Sequence, residues 1–387
     1  MGATPPPLII ANKSNFNNNQ NAPFATPHMN NSKNDSRRNF LKKSSLGLGT
    51  GFMGMYVPVL SNDHHIIKNK KLPREICVVT IDLKGWPDPT REARMKRMLE
   101  RMEQVSSMNP DVVCLPELFD SMWVDEQKSI SEIAEDEKVP GPVTRRIAAY
   151  AKKNSCYVIC PLFTKKNGKF YNSSLLLDRK GNIAGVYHKT HPVKTEIFPD
   201  QAIKGGGVVP GDIDQPVFET DFGKVGMQIC YDAYWSDGWD NLRDKGAEVV
   251  FFSSAMPGGR LLNHYASKNE YYIISSTGSD ARVIDKSGND LDRTSDFIRY
   301  AWATINLNKV NVDVWPANER VSEMYKKYGD RIGIRVWTNT DVTTIESLDP
   351  QLDIRKVIKE FDIPVFSEYI KSETGIHDQY RKANSKI

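Results

Sequence analysis

Two short apolar runs separated by a helix-length spacer constrain this chain more than anything else in it. Lys224-Val-Gly-Met-Gln-Ile-Cys230 launches from a turn-like Asp221-Phe-Gly-Lys224, and Ala247-Glu-Val-Val-Phe-Phe-Ser-Ser254 follows it. Both runs are unbroken and rich in β-branched or aromatic residues, which predicts buried strands; Gly238 to Lys245 between them predicts a short helix. A strand–helix–strand unit of this size belongs in a sheet covered by helices, where reactive side chains sit at the point a strand gives way to a loop. Cys230 stands at such a point. A buried cysteine is ordinarily a small hydrophobe, so the thiol gains meaning only from what else reaches it.

The same rhythm begins upstream. Glu75 to Ile81 predicts a first strand, and Thr90 caps a helix whose Met95, Met98, Leu99, Met102 and Val105 follow 3.6-residue spacing. That methionine stripe reads as core. Asn109-Pro110 ends the helix, and Asp111 to Glu117 predicts a second strand. A helix from Thr144 to Lys153, a strand from Cys156 to Phe163, a hairpin turn at Lys166-Asn-Gly-Lys169 and strands at Tyr171–Leu177 and Ile183–Tyr187 come next. Beyond the Cys230 segment, a helix around Leu261–Glu270 and strands at Tyr271–Ser276, Arg282–Asp285 and Tyr300–Leu307 complete a mixed sheet faced by helices. From Lys309 the rhythm is lost. The expected organisation is a tail over 1–73, an enzyme-sized domain over 74–310 and an extension over 311–387, with one helix near 352–361 and a role in oligomer contacts.

Three of the predicted strands end in groups with complementary chemistry: Glu117, Lys189 and Cys230. A twisted sheet brings strand ends to one crevice. There a thiolate attacks a carbonyl or nitrile carbon. A carboxylate takes the thiol proton, passes it to the leaving nitrogen and later activates water. An ammonium stabilises the tetrahedral oxyanion, with the amide N–H after the cysteine as a second donor. Leu118, Phe119, Met122 and Trp123 crowd Glu117 with apolar side chains, and desolvation of that kind raises a carboxyl pKa towards the range useful to a base.

In this arrangement the chain resembles the nitrilase, or carbon–nitrogen hydrolase, superfamily over residues 74–310. Leu115-Pro-Glu-Leu118 resembles the segment carrying that family's general base, Tyr171-Asn-Ser173 with Tyr187-His-Lys-Thr-His191 its lysine segment, and Gly226-Met-Gln-Ile-Cys-Tyr-Asp232 its nucleophile elbow. The resemblance implies catalytic roles for Glu117, Lys189 and Cys230. It also implies one for Glu196, which matches the second glutamate that orients the lysine and substrate, with a longer loop before Val209-Pro-Gly211 than is usual. It further implies a four-layer α-β-β-α sandwich, packing of subunits into a homodimer or larger homo-oligomer, and neither metal nor organic cofactor. Tyr231-Asp232 after the cysteine replaces the Trp-Glu of true nitrilases and is closer to the amidase and carbamoyl-hydrolase branches. Tyr231 and Trp235 are the expected substrate contacts, with Tyr234 and Trp239 shaping the same pocket. The expected reaction is hydrolysis of a small linear amide or N-carbamoyl compound, with nitrile hydrolysis by the same site as the alternative.

Charge excludes one class of partner. The formal net charge is +4, yet residues 1–73 hold nine Lys/Arg against two Asp/Glu, leaving 43 against 46 in the rest. The folded part is slightly acidic, unlike a nucleic-acid groove. The tail instead carries Ser36-Arg-Arg-Asn-Phe-Leu-Lys42 before an uncharged, glycine-rich apolar run from Ser44 to Leu60, while residues 1–35 have the composition of a disordered segment. The paired arginines look like a twin-arginine export signal, which makes the twin-arginine machinery a partner and places the protein in the periplasm or beyond the cytoplasm. Replacing Arg37 and Arg38 together by lysine should then hold the protein in the cytoplasm; a fractionation pattern matching the wild type would remove this reading. Five cysteines in a chain of this length make no disulfide framework, no Cys/His spacing resembles a zinc site, and His64-His65 in the linker reads as a solvated pair. Two rival readings are a Cys–His hydrolase using His188 or His191, and a non-catalytic binding protein on the same sheet. An activated thiolate at Cys230, reactive well below pH 8.5, would separate the enzyme from the binding protein.

Overall fold

The computed structural model describes residues 71–84, 88–126, 128–198 and 207–385. The export motif and the histidine pair of the tail lie outside the described residues.

In chain order the elements are β1 (Glu75–Ile81), α1 (Arg91–Ser106), β2 (Val112–Cys114), α2 (Ile130–Ile133), β3 (Glu135–Asp136), α3 (Pro142–Asn154), β4 (Tyr157–Lys166), β5 (Lys169–Leu177), β6 (Ile183–His188) and α4 (Lys194–Ile197). The second half continues with β7 (Phe218–Glu219), β8 (Lys224–Ile229), α5 (Ser236–Asp244), β9 (Val249–Ser253), α6 (Gly259–Asn269), β10 (Tyr272–Ser276), β11 (Arg282–Ile284), β12 (Asp290–Arg293) and β13 (Tyr300–Asn306). Two sheets result, ordered β13-β1-β2-β4-β5-β6, with β3 beside β4, and β12-β11-β10-β9-β8-β7. In each, a parallel trio (β1-β2-β4 or β8-β9-β10) is extended by antiparallel strands.

The period-two alternation of the strands builds the layers. In β1, Ile76 and Val78 join the core between the sheets, while Cys77, Val79 and Ile81 pack with Met95, Met98 and Met102 of α1 and Ile147 of α3. In β9, Val249 and Phe251 face the other sheet, and Val250 and Phe252 pack under α5 and α6 with Trp239 and Leu262. The order is therefore helices, sheet, sheet, helices: the expected α-β-β-α sandwich. Strands buried on both faces have no polar side to show, which is why they read as continuous apolar runs. Thr90 caps α1 as expected, its hydroxyl accepting the Ala93 N–H at 3.1 Å.

Three features differ from the sequence expectation. The second strand stops at Cys114, so Glu117 stands three residues out on a loop. A separate strand, β12, follows the turn after β11, and β13 leaves the second sheet to pair antiparallel with β1, Glu75 opposite Asn306 and Ile81 opposite Tyr300. The C-terminal residues hold β14 (Lys309–Asp313), α7 (Val314–Tyr328), β15 (Ile332–Trp337), β16 (Val342–Ser347), α8 (Ile354–Glu360) and α9 (Phe366–Asn384), not one helix. The strands form a third sheet, β14-β16-β15, with an apolar core of its own that includes Val312, Met324, Ile345 and Val357.

Candidate active site

Strand direction brings the candidate groups together. Strands β2 and β4 are parallel, and β5 and β6 reverse in turn, so β6 ends at the same edge as β2. Lys189 follows β6 directly, and its backbone N–H bonds the Asn172 carbonyl of β5 at 2.8 Å. The second sheet delivers Cys230 from the end of β8 and Ser254 and Ala255 from the end of β9. The site is thus shared between the two sheets, at the carboxyl ends of their parallel strands.

Its centre is a buried ion cluster. The Lys189 ammonium donates to Glu117 Oε1 at 2.8 Å and to Glu196 Oε2 at 2.9 Å. Asn172 Nδ2 bridges the same two carboxylates, at 2.8 Å to Glu117 and 2.6 Å to Glu196. The Ala255 N–H crosses from the second sheet to Glu117 Oε2 at 3.0 Å, and the Val193 N–H bonds Glu196 Oε2 at 2.7 Å. All three charged residues are buried. Glu117 is therefore enclosed as expected, although polar donors rather than apolar side chains meet its oxygens. Burial alone would depress the Lys189 ammonium, but Glu117 and Glu196 hold it well above its ordinary value, so it stays charged.

Cys230 opens a short 3-10 turn, Cys230–Tyr234, with φ of 46°. That left-handed backbone costs energy in any residue with a Cβ and persists only where neighbours fix it. Asp232 does the fixing. Its buried carboxylate accepts the Ile229 N–H at 2.9 Å, the Tyr187 hydroxyl at 2.7 Å and the His191 N–H at 2.8 Å, tying the thiol turn to the lysine loop. The Glu117 carboxylate and the Ser254 hydroxyl stand near the thiol. Burial first, then the Glu117 charge, push it up to about 12, against the pull of Lys189.

Burial and the Glu117 charge favour a protonated thiol over the activated thiolate expected from the sequence, so reactivity below about pH 8.5 does not by itself separate an enzyme from a binding protein here. Raising an acid's pKa keeps its neutral form to higher pH. Modification of Cys230 by methyl methanethiosulfonate, followed by mass spectrometry of its peptide, should therefore accelerate about tenfold per pH unit between about pH 7 and about pH 9.5. A plateau below about pH 8.5 would show a preformed thiolate.

The rival histidines are occupied elsewhere. His188 lies 2.6 Å from Glu137 and stacks on Tyr171 at 4.0 Å, while His191 lies 3.1 Å from Asp232 and stacks on Trp235 at 4.1 Å. A cavity of about 600 Å³ opens beside Cys230, walled by Ala233, Tyr234, Phe252, Ser254, Met256 and Leu261, with Arg260 its charged member. Tyr234 lines it. Tyr231 and Trp235, the expected substrate contacts, do not; they form a half-exposed aromatic cluster with Tyr234 and His191. Trp239 is core, fully buried and stacked on Tyr265 at 4.6 Å. Asn172, Asp232 and Ser254 are the site residues that sequence reasoning missed; each lies in a quoted motif or strand, but only the fold supplies their partners. Among the described residues, no group of three or more His, Cys, Asp or Glu side chains is placed to hold a metal ion.

Comparison with known proteins agrees with this geometry. The carbon–nitrogen hydrolase family profile matches residues 77–311. A nitrilase from Pyrococcus abyssi (strain GE5 / Orsay) is 29% identical over 180 residues, 45% of this chain and 64% of that protein. The β-ureidopropionase of Arabidopsis thaliana is 31% identical over 125 residues, 32% of this chain and 30% of that protein. The chain thus spans less than two thirds of the length of these relatives. The solved structure of the C. elegans NitFhit protein is similar in fold, with a TM-score of 0.52 at 15% identity over 75% of this chain and 98% of that one.

Proposed function

The chain belongs to the carbon–nitrogen hydrolase family, and from that premise we propose that it hydrolyses a linear amide or N-carbamoyl compound through a thioester on Cys230. The observation that carries the proposal is the buried cluster in which Glu117 bonds the Lys189 ammonium and stands close enough to the Cys230 thiol for its charge to act on it. In the first half-reaction Glu117 removes the thiol proton as sulfur attacks the carbonyl carbon, then delivers it to the leaving nitrogen. Lys189, already charged, meets the developing oxyanion together with the Tyr231 backbone N–H. In the second half-reaction Glu117 activates the water that cleaves the thioester. Glu196 and Asn172 act as positioning residues: they hold the ammonium and the base carboxylate in one orientation.

The names of the relatives, a nitrilase and a β-ureidopropionase, support a C–N substrate outside the peptide bond. Tyr231-Asp232 beside the nucleophile favours the amide and carbamoyl branches over nitriles. An ammonia-release screen of the purified protein against aliphatic amides, N-carbamoyl amines and nitriles tests this. Turnover of an amide or carbamoyl compound that is lost in Cys230→Ala is the expected result; turnover of nitriles alone would replace the proposed substrate class, and no ammonia from any of them would remove it.

A further inference from the structure

At the edge opposite Cys230, the residues just before β9 and β10 meet the C-terminal sheet around a cavity of about 310 Å³. Lys286, on the turn after β11, lines it and is 7% exposed. An ammonium group carries three donors. Among the described residues this one makes a single hydrogen bond, 3.3 Å to the Lys309 carbonyl. Its Nζ lies 5.5 Å from the centre of the Tyr272 ring, and the Lys309 Nζ lies 5.8 Å from the same ring, so two cations crowd one aromatic side chain.

The carboxylates on these walls already accept hydrogen bonds from other groups. Both Glu248 oxygens accept from Arg74, at 2.8 and 2.7 Å. Glu270 accepts the Ser367 N–H at 2.7 Å and its hydroxyl at 3.1 Å, and Asp353 accepts the Arg355 N–H at 3.0 Å. Asp285 takes Lys309 at 3.0 Å. The remaining cation, Arg243, has Asp244 and Asp240. Lys286 and Arg355, which both line the cavity, make no ion pair among the described residues. A buried cation with unfilled donors is costly unless something completes its shell. Burial accordingly draws the Lys286 ammonium down to about 8, even with Glu248, Asp285 and Glu270 near it.

We infer that this cavity binds a small tetrahedral oxyanion of the phosphate or sulfate class, held by Lys286 and Arg355 between the second sheet and the C-terminal sheet. The unfilled donors of Lys286 and the Arg355 guanidinium match the acceptor oxygens of such an ion, and the cavity has room for one with its waters. Strand β8 is six residues long, so the site lies about 20 Å from the thiol and acts on stability, with no part in the chemistry.

Thermal unfolding of the full chain in phosphate, sulfate or chloride at one ionic strength tests the inference. A saturable rise in midpoint with phosphate and sulfate, absent in chloride, is expected from preferential binding to the folded state. Lys286→Met should lose the rise while keeping a midpoint in chloride at least equal to that of the wild type, because the charge removed was unsatisfied. Arg355→Gln, on an exposed side chain, should stay folded and require about tenfold more phosphate for the same shift; it decides the matter if Lys286→Met does not fold. Glycerol 3-phosphate in place of phosphate distinguishes an esterified from a free ion. A wild type that treats phosphate as it treats chloride, or variants that respond as the wild type does, would overturn the site.

Discussion

Glu117→Gln protein given a linear amide substrate is expected to hold an acyl group on Cys230 that persists for minutes or longer, visible as a mass increment on the intact chain. The glutamine keeps the size of the carboxylate and its place beside Lys189 Nζ and the Ala255 N–H, so the site should assemble. What it lacks is a proton acceptor. Acylation slows, since burial still holds the thiol up even without the Glu117 charge, and nothing strips its proton. Thioester hydrolysis fails as well, because no carboxylate activates water. General-base catalysis is worth about 10²–10⁴ in rate, and here it is lost in both halves. Cys230→Ala should show no increment and no ammonia release. The double variant should be hardly worse than Cys230→Ala alone, since groups acting as a unit are not additive. A Cys230→Ala protein that still hydrolyses amides at a substantial rate would end the mechanism.

The second large effect falls on stability as well as turnover. Lys189→Met leaves Glu117 and Glu196 buried with their shared cation gone; removing one partner of a buried pair costs about 3–5 kcal/mol. The pH dependence gives this cost a signature. The Lys189 ammonium of the wild type is held above its ordinary value, so its contribution to stability is complete below about pH 10 and is lost only above that. The deficit of Lys189→Met in urea unfolding should therefore be constant between about pH 6 and about pH 9 and shrink above about pH 10. A deficit that stays the same up to about pH 11 would mean that the ammonium charge does not stabilise the cluster. Turnover should also fall by about 10²–10³, the usual loss for one oxyanion donor.

The C-terminal sheet was illegible in the sequence for a local reason. Strand β16, Val-Thr-Thr-Ile-Glu-Ser, buries Thr343 and Thr344, and β15 leaves much of its surface half-exposed. Neither offers the apolar run or clean alternation that marks a strand. The aromatics after Cys230 misled in the opposite way. Tyr231, Tyr234, Trp235 and Trp239 fall within nine residues, and nothing local says that Trp239 turns into the α5–α6 core while Tyr234 turns to the cavity. The pKa of Cys230 was equally hidden, since a cysteine beside a lysine reads as activated until the Glu117 charge and the depth of burial are known.

By itself the sequence determined which strands are buried on both faces and that Glu117, Lys189 and Cys230 follow such strands. Runs such as Val79 to Ile81 and Val249 to Phe252 admit only strands buried on both faces, and the hairpin at Asn167-Gly168 fixes the register of β4 on β5 through neighbours in the chain. Such signals are short-range, because side-chain direction follows the backbone period. Only the tertiary structure decided that β13 closes the first sheet on β1, that Asn172 joins Glu117 to Glu196, and that Ala255 reaches across to the base. Those contacts join residues 55, 24 and 138 positions apart. Their geometry comes from how two twisted sheets stack, a quantity no local pattern of residues carries.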